Sequence, residues 1–331
     1  MTFPRIAIGS LGGTIAMTSS RASGGLAPSL SAADLVDAVP AIRGVADVTF
    51  TNLSSQPSAS MGFEDVLMAI AWARTRIADG ADGVVLTQGT DTLEECSYLM
   101  DLYWDLEEPL VITGAMRGAD QPGSDGPSNL LSATIAAADP ASRNRGGLVV
   151  MNDQIHASSR VSKTDSVAVD AFNSGSFGPL GRLREHHAVY GNDRKRLKPL
   201  PPPERSDIDV ALIEATLGDD GRLLLAALNS GVAAIVVGAF GVGHLSARMA
   251  TAISTATASV PVVFASRTGW GPTLRHTYAF EGSEADLLNR GAIDAGWLHP
   301  RKARLLLWAA LSAGYNRDEV RRVFNERGDV I

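Results

Sequence analysis

The chain has 331 residues, 45% of them hydrophobic, which suffices for sizeable cores; at roughly 100–200 residues per domain it points to two domains. A net charge of −7 and a pI near 5.4 argue against a nucleic-acid surface, because phosphate recognition needs concentrated Lys and Arg. The single cysteine, Cys96, excludes an intrachain disulfide and any CxxC metal site.

The first residues run straight into a short apolar strand, with no secretory leader, so a cytoplasmic protein is expected. Arg5-Ile6-Ala7-Ile8-Gly9 predicts strand one, ended by Leu11-Gly12-Gly13-Thr14, whose glycine spacing is not that of a dinucleotide fingerprint. Thr18 to Gly25 is small and polar and reads as either a lid beside a site or a plain surface loop. Ser31 with Asp34 then predicts a helix as far as Val39, stopped by Pro40. Val48 and Phe50 mark a second strand, followed by Leu53-Ser54-Ser55-Gln56-Pro57, and Phe63, Val66, Leu67, Ile70 and Ile77 keep helical spacing.

Val84-Val85-Leu86 has the continuous apolar character of a strand buried on both faces. Gly89 breaks it, and Leu93, Cys96, Leu99, Met100 and Tyr103 line one face of a helix, with Cys96 a buried small hydrophobe. Thr90 and Asp91 sit between the two. Capping by Thr92 with Glu95, or by Asp91 with Glu94, accounts for one of these residues but not for Thr90 and Asp91 together. Further strands are expected at Pro109–Gly114 and Gly147–Met151, with a helix through Leu131, Ile135 and Ala138 between them.

This alternation predicts a larger N-terminal domain of doubly wound, flavodoxin-like, mostly parallel α/β type over residues 1–190. Residues 191–207 read as a proline-rich linker in which Arg194-Lys195-Arg196-Leu197-Lys198 is a solvated basic patch. Residues 208–331 resume the pattern as a smaller C-terminal α/β domain, with strands near Val210–Ile213, Ala234–Val237 and Val260–Phe264. Leu223 to Ala247 lacks charged residues and is long enough to span a membrane, but Asn229-Ser230-Gly231 divides it, so a core assignment is preferred.

In a parallel sheet the residues after each strand crowd one edge, where such folds bind ligands. Here they are Thr14, Ser55 with Gln56, Thr90 with Asp91, Ala115 to Arg117 and, more distantly, Lys163. A hydroxyl nucleophile needs a base, which an amine can supply, and backbone amides at glycine turns can hold an oxyanion. Taken singly, Thr14 is a turn residue, Ser55 a cap and Lys163 a surface charge; the shared edge favours chemistry. Six scattered histidines form no HExxH, and there is no GxSxG elbow and no positive signal for a metal. His186-His187 reads as a solvated pair.

Leu11-Gly12-Gly13-Thr14-Ile15-Ala16 and Gln88-Gly89-Thr90-Asp91-Thr92-Leu93-Glu94-Glu95 resemble the two signatures of the bacterial-type L-asparaginase family. Gly114-Ala115-Met116-Arg117, Ser124 to Leu130, Gly146 to Asp153, Val161-Ser162-Lys163-Thr164 and Pro300 to Arg304 are similar to family segments in the same order, so the resemblance covers nearly the whole chain. It implies hydrolysis of L-asparagine, with L-glutamine as the alternative substrate, and no cofactor or metal. It assigns Thr14 as nucleophile, through an acyl-enzyme, and Thr90, Asp91 and Lys163 as a proton-relaying group. Ser55, Gln56, Thr90, Asp91 and Ala115 would bind substrate, together with a glutamate lent by a neighbouring subunit, Glu284 or else Glu281. A homotetramer, built as a dimer of dimers, is implied, with no nucleic-acid or membrane partner. Two departures stand out: no tyrosine lies near Gly24-Gly25-Leu26, where many members carry one in the lid, and His244 occupies a position where some members have asparagine. The competing readings are an amidase partner in tRNA-dependent amidation, which usually carries an added RNA-facing domain, and a non-catalytic amino-acid-binding protein, which would not need Lys163.

Overall fold

A computed structural model describes residues 3–20, 25–28, 34 and 37–329, which fall into two compact units, Met1–Pro199 and Leu200–Ile331. In the first unit the strands are β1 (Arg5–Ser10), β2 (Met17–Ser20), β3 (Gly25–Pro28), β4 (Asp47–Asn52), β5 (Gly83–Thr87), β6 (Leu110–Thr113) and β7 (Gly147–Met151). Five short ones follow: β8 (Gln154–Ala157), β9 (Ser162–Lys163), β10 (Phe172–Asn173), β11 (Gly181–Arg184) and β12 (His187–Tyr190). Its helices are α1 (Phe63–Ala78), α2 (Leu93–Tyr103) and α3 (Gly126–Ala138).

The main sheet has the order β12-β11-β8-β7-β6-β5-β1-β4. From β7 to β4 every pairing is parallel, while β8, β11 and β12 add an antiparallel extension. Counting parallel strands alone, the order is that of a flavodoxin-like doubly wound sheet, as expected from the sequence. Its crossovers reverse direction between β1 and β5, which opens a crevice at the carboxyl ends of those two strands. Both strands are buried throughout except at Arg5, and β5 is the unbroken apolar run that such a position demands. One face packs Ile6, Ile8, Val85, Val111, Leu148 and Val150 against Leu130, Ala133, Ala136 and Ala137 of α3.

Several expectations need correction. Thr18 to Gly25 is not a simple loop: β2 and β3 pair antiparallel, Met17 opposite Pro28 and Ser20 opposite Gly25, and the tip, 21–24, lies outside the described residues. The helix expected after Ser31 also lies largely outside them. The basic patch is not solvated throughout. The Arg194 side chain is 9% exposed and forms a bidentate pair with Asp101 on α2, at 2.5 and 2.9 Å, while Arg196 donates to the carbonyls of Trp104 and Leu106. A cation in a proline-rich stretch looks solvated in sequence because its buried partner lies 93 residues away.

The second unit is a four-stranded, wholly parallel sheet, β13 (Val210–Glu214), β14 (Ala234–Ala239), β15 (Val262–Ser266) and β16 (Ile293–Asp294). It carries α4 (Arg222–Asn229), α5 (Ala247–Thr257), α6 (Glu284–Asn289), α7 (Pro300–Ser312) and α8 (Arg317–Gly328). The uncharged stretch from Leu223 becomes α4, a turn and the fully buried β14. Among the described residues no helix is long and apolar enough to cross a membrane.

Candidate active site

The turns after β1 and β5 meet at the crevice. Gly12 and Gly13 have φ of 88° and 90°, a left-handed backbone that residues with a side chain rarely adopt. A Cβ on Gly13 would overlap the backbone of Gly89, and one on Gly12 would lie 3.0 Å from Gln56 O and from the carbonyl carbon of Ser55. The two glycines therefore let three loops touch backbone to backbone. The Leu11 amide donates to Thr87 O at 2.8 Å, and Ser10 O accepts from the amides of Leu53 and Ser54, locking the same three turns together. Thr14 opens a single 3-10 turn, Thr14–Ala16, and is partly exposed; Ser55 is exposed and Gln56 half-buried.

Thr90 is buried, and its hydroxyl accepts from Lys163 Nζ at 2.9 Å. The same ammonium donates to Asp91 Oδ1 at 3.0 Å, with the Lys163 side chain 15% exposed and that of Asp91 67% exposed. Lys163 is thus no free surface charge. Its own amide donates to Glu94 Oε2 at 2.5 Å. Thr90 and Asp91 stand just ahead of α2, where helix-terminal amides favour negative charge. Thr92 is the N-cap residue but makes no side-chain capping bond, and its hydroxyl instead donates to Ser58 O at 3.0 Å.

Ala115 is buried beside this group. Gly114 sits so close that a Cβ there would lie 2.5 Å from Gln88 O and 3.2 Å from Thr90 Cγ2. The loop carrying Ala115 is held by Asp125, whose carboxylate accepts the amides of Met116 and Arg117, and by Asn129 Nδ2, which donates to Gly114 O at 3.0 Å. Asp125, Asn129 and Glu94 were not singled out from sequence; each is a polar residue at the start of a helix, which by itself reads as capping.

Of the sequence candidates, Thr14, Ser55, Gln56, Thr90, Asp91, Ala115 and Lys163 belong to this one edge of the first unit. Glu284 belongs to the second unit. There it is fully buried, with Oε1 accepting the amides of Thr277 and Tyr278 at 2.8 and 2.7 Å and Oε2 lying 3.2 Å from His244 Nε2. Burial alone would raise its pKa, but the hydrogen bonds from backbone amides and His244 outweigh this and hold it below the usual carboxylate range. His244 is flanked edge-on by Tyr278 and Phe280, at 4.7 and 4.9 Å between ring centres. Glu281 pairs with Arg290 at 3.3 Å. Among the described residues no group of three or more His, Cys, Asp or Glu is placed to hold a metal ion.

The family described as "Asparaginase, N-terminal" matches residues 5–196, and that described as "Glutaminase/Asparaginase C-terminal domain" matches residues 209–324. The chain belongs to the asparaginase family. It is 36% identical over 328 residues to a probable L-asparaginase of Deinococcus radiodurans, covering 98% of each chain. It is 34% identical to a probable periplasmic L-asparaginase of Haemophilus influenzae, covering 98% of this chain and 93% of that one. Among solved structures, a probable cytoplasmic L-asparaginase from Campylobacter jejuni superposes with a TM-score of 0.86 at 31% identity, covering 97% of this chain and 99% of that one. The asparaginase fold therefore accounts for both units, each with its own sheet.

Proposed function

We propose that the protein is an L-asparaginase, hydrolysing L-asparagine to L-aspartate and ammonia through a threonine ester. The observation that carries this reading is the 2.9 Å contact of Lys163 Nζ with Thr90 Oγ1 at the turn against which Gly13, and so the base of Thr14, is packed. Thr14 Oγ1 attacks the side-chain amide carbon, and the backbone amides at the glycine-bent turns stabilise the oxyanion. Collapse of the tetrahedral intermediate breaks the C–N bond; the proton given up by the attacking hydroxyl goes to the departing nitrogen, which leaves as ammonia. Water then opens the ester, with Thr90, Lys163 and Asp91 exchanging protons and orienting the attacking oxygen. Ser55, Gln56 and Asp91 hold the α-carboxylate and α-ammonium of the substrate, with Ala115 at its side-chain end.

Support for a catalytic reading over simple amino-acid binding comes from Lys163. Recognition of asparagine needs no ammonium pressed against a buried threonine hydroxyl. The reading extends to a homotetramer built as a dimer of dimers, in which Glu284 with His244 approaches a neighbour's site, and to a cytoplasmic enzyme. Ammonia release from asparagine and glutamine, measured side by side, tests the substrate. Thr14→Ala and Thr90→Val are expected to abolish it while the fold is retained; wild-type turnover in both would overturn the mechanism.

A further inference from the structure

Lys163 is held at both ends by one short segment of chain. Thr90 and Asp91 take its ammonium, and Glu94, one helical turn on, takes its backbone amide at 2.5 Å. Glu94 is only 3% exposed. A carboxylate facing inward is strongly disfavoured unless a specific partner compensates it, whereas a solvent-facing glutamate would serve the start of α2 equally well. The short bond from the Lys163 amide is one such partner, and it comes from the residue whose ammonium reaches Thr90. The strand it holds is short and stands apart from the main sheet: β9 is two residues long and pairs with the two-residue β10, outside the eight-stranded sheet. Thr164, the next residue, is tied back to the same β10 side through its amide to Ala171 O at 2.7 Å. The bond from Glu94 ties this small hairpin to α2 across 69 residues of chain, beside the ammonium bonds to Thr90 and Asp91.

We propose that Glu94 is a positioning residue for the reaction: by accepting the Lys163 amide, its buried carboxylate sets β9 against α2 and so aims Lys163 Nζ at Thr90 Oγ1. The inference rests on the catalytic role given to Lys163 above. Reach, not charge, is what it requires of residue 94, and two substitutions separate these. Glu94→Gln keeps the length and an acceptor oxygen but removes the charge, while Glu94→Asp keeps the charge and withdraws the acceptor by one methylene.

The test measures steady-state ammonia release from asparagine, with kcat and KM separated, for these variants and for Lys163→Met, each checked for a cooperative thermal melt. Glu94→Gln is expected to keep kcat within about tenfold of the parent. Glu94→Asp should lose roughly 100-fold in kcat with KM little changed, the penalty expected for a group displaced by about 1 Å from its productive place. Lys163→Met should be silent. A silent Lys163→Met with the opposite ranking, Glu94→Asp active and Glu94→Gln dead, overturns the positioning role and leaves the catalytic reading intact; so does full activity in both Glu94 variants. If Glu94→Asp does not fold, Glu94→Gln decides alone: a folded but inactive protein refutes the proposal. An active Lys163→Met removes the catalytic reading itself, and this inference with it.

Discussion

Gly13 and Gly89 touch backbone to backbone, and that contact sets the base of Thr14 against the turn that carries Thr90. It needs two things at once: a left-handed φ of 90° at Gly13, and no atom where a Cβ would stand. Any side chain violates both. Gly13→Ala should therefore bear a strain of about 1–3 kcal/mol from the backbone conformation, plus displacement of the Gly89 turn. Ammonia release is expected to fall by at least ~100-fold, with a lowered melting temperature. Parental turnover in Gly13→Ala would show that the two turns need not touch.

Arg194 and Asp101 form a buried pair in which Asp101 also accepts the Gly147 amide at 2.7 Å. Removing one partner of such a pair leaves a buried charge uncompensated, at about 3–5 kcal/mol. Arg194→Met is expected to lower the unfolding free energy by an amount in that range, read from the urea midpoint with the unfolding slope unchanged. A shift below about 0.5 kcal/mol would return the basic stretch to a solvated role.

Cys96 lies on the buried face of α2, its thiol 3.7 Å from Thr92 Oγ1, and burial raises its pKa above the ordinary thiol value. The native thiol is therefore protonated near neutral pH and out of reach of reagent. A thiol-directed chromogenic reagent at pH 8 should react with no group in the native protein and with one on unfolding in guanidinium. Fast labelling of the native protein would contradict this.

Glu284 has its folded pKa held below the unfolded value of about 4.3. For a carboxylate shifted in this direction, the stabilisation is fully present above about pH 4.3 and is lost as pH falls through the lower folded pKa. Glu284→Gln should be less stable than the parent at pH 7, with the gap closing as pH falls below about 4.3. Urea midpoints across that range read the gap directly. A gap that is constant or widens on acidification would show that the buried amide contacts do not favour the ionised form.

Much of the candidate edge could be read from the chain because its signals are local. A glycine that ends an apolar run marks a turn whatever lies around it, so Gly12-Gly13-Thr14 and Gly89-Thr90-Asp91 stood out, and the strand–helix alternation placed them on one side of a parallel sheet. The antiparallel extension β8, β11 and β12 was missed, since strands of four residues without a long apolar run leave little periodic signal. Glu94 and Arg194 escape a sequence reading for a different reason. Locally each looks like a capping or a solvated charge, and each is held by a partner 69 and 93 residues away.

By itself the sequence determined where the backbone turns, which segments are apolar on both faces, and which hydroxyls and carboxylate lie at those turns; these follow from side-chain size, periodicity and backbone freedom within a few residues. Only the tertiary structure decided the strand order that opens the crevice between β1 and β5, and which charges are buried. Those outcomes depend on desolvation, and whether a carboxylate or guanidinium can leave water is settled by a partner that only the folded chain brings within reach.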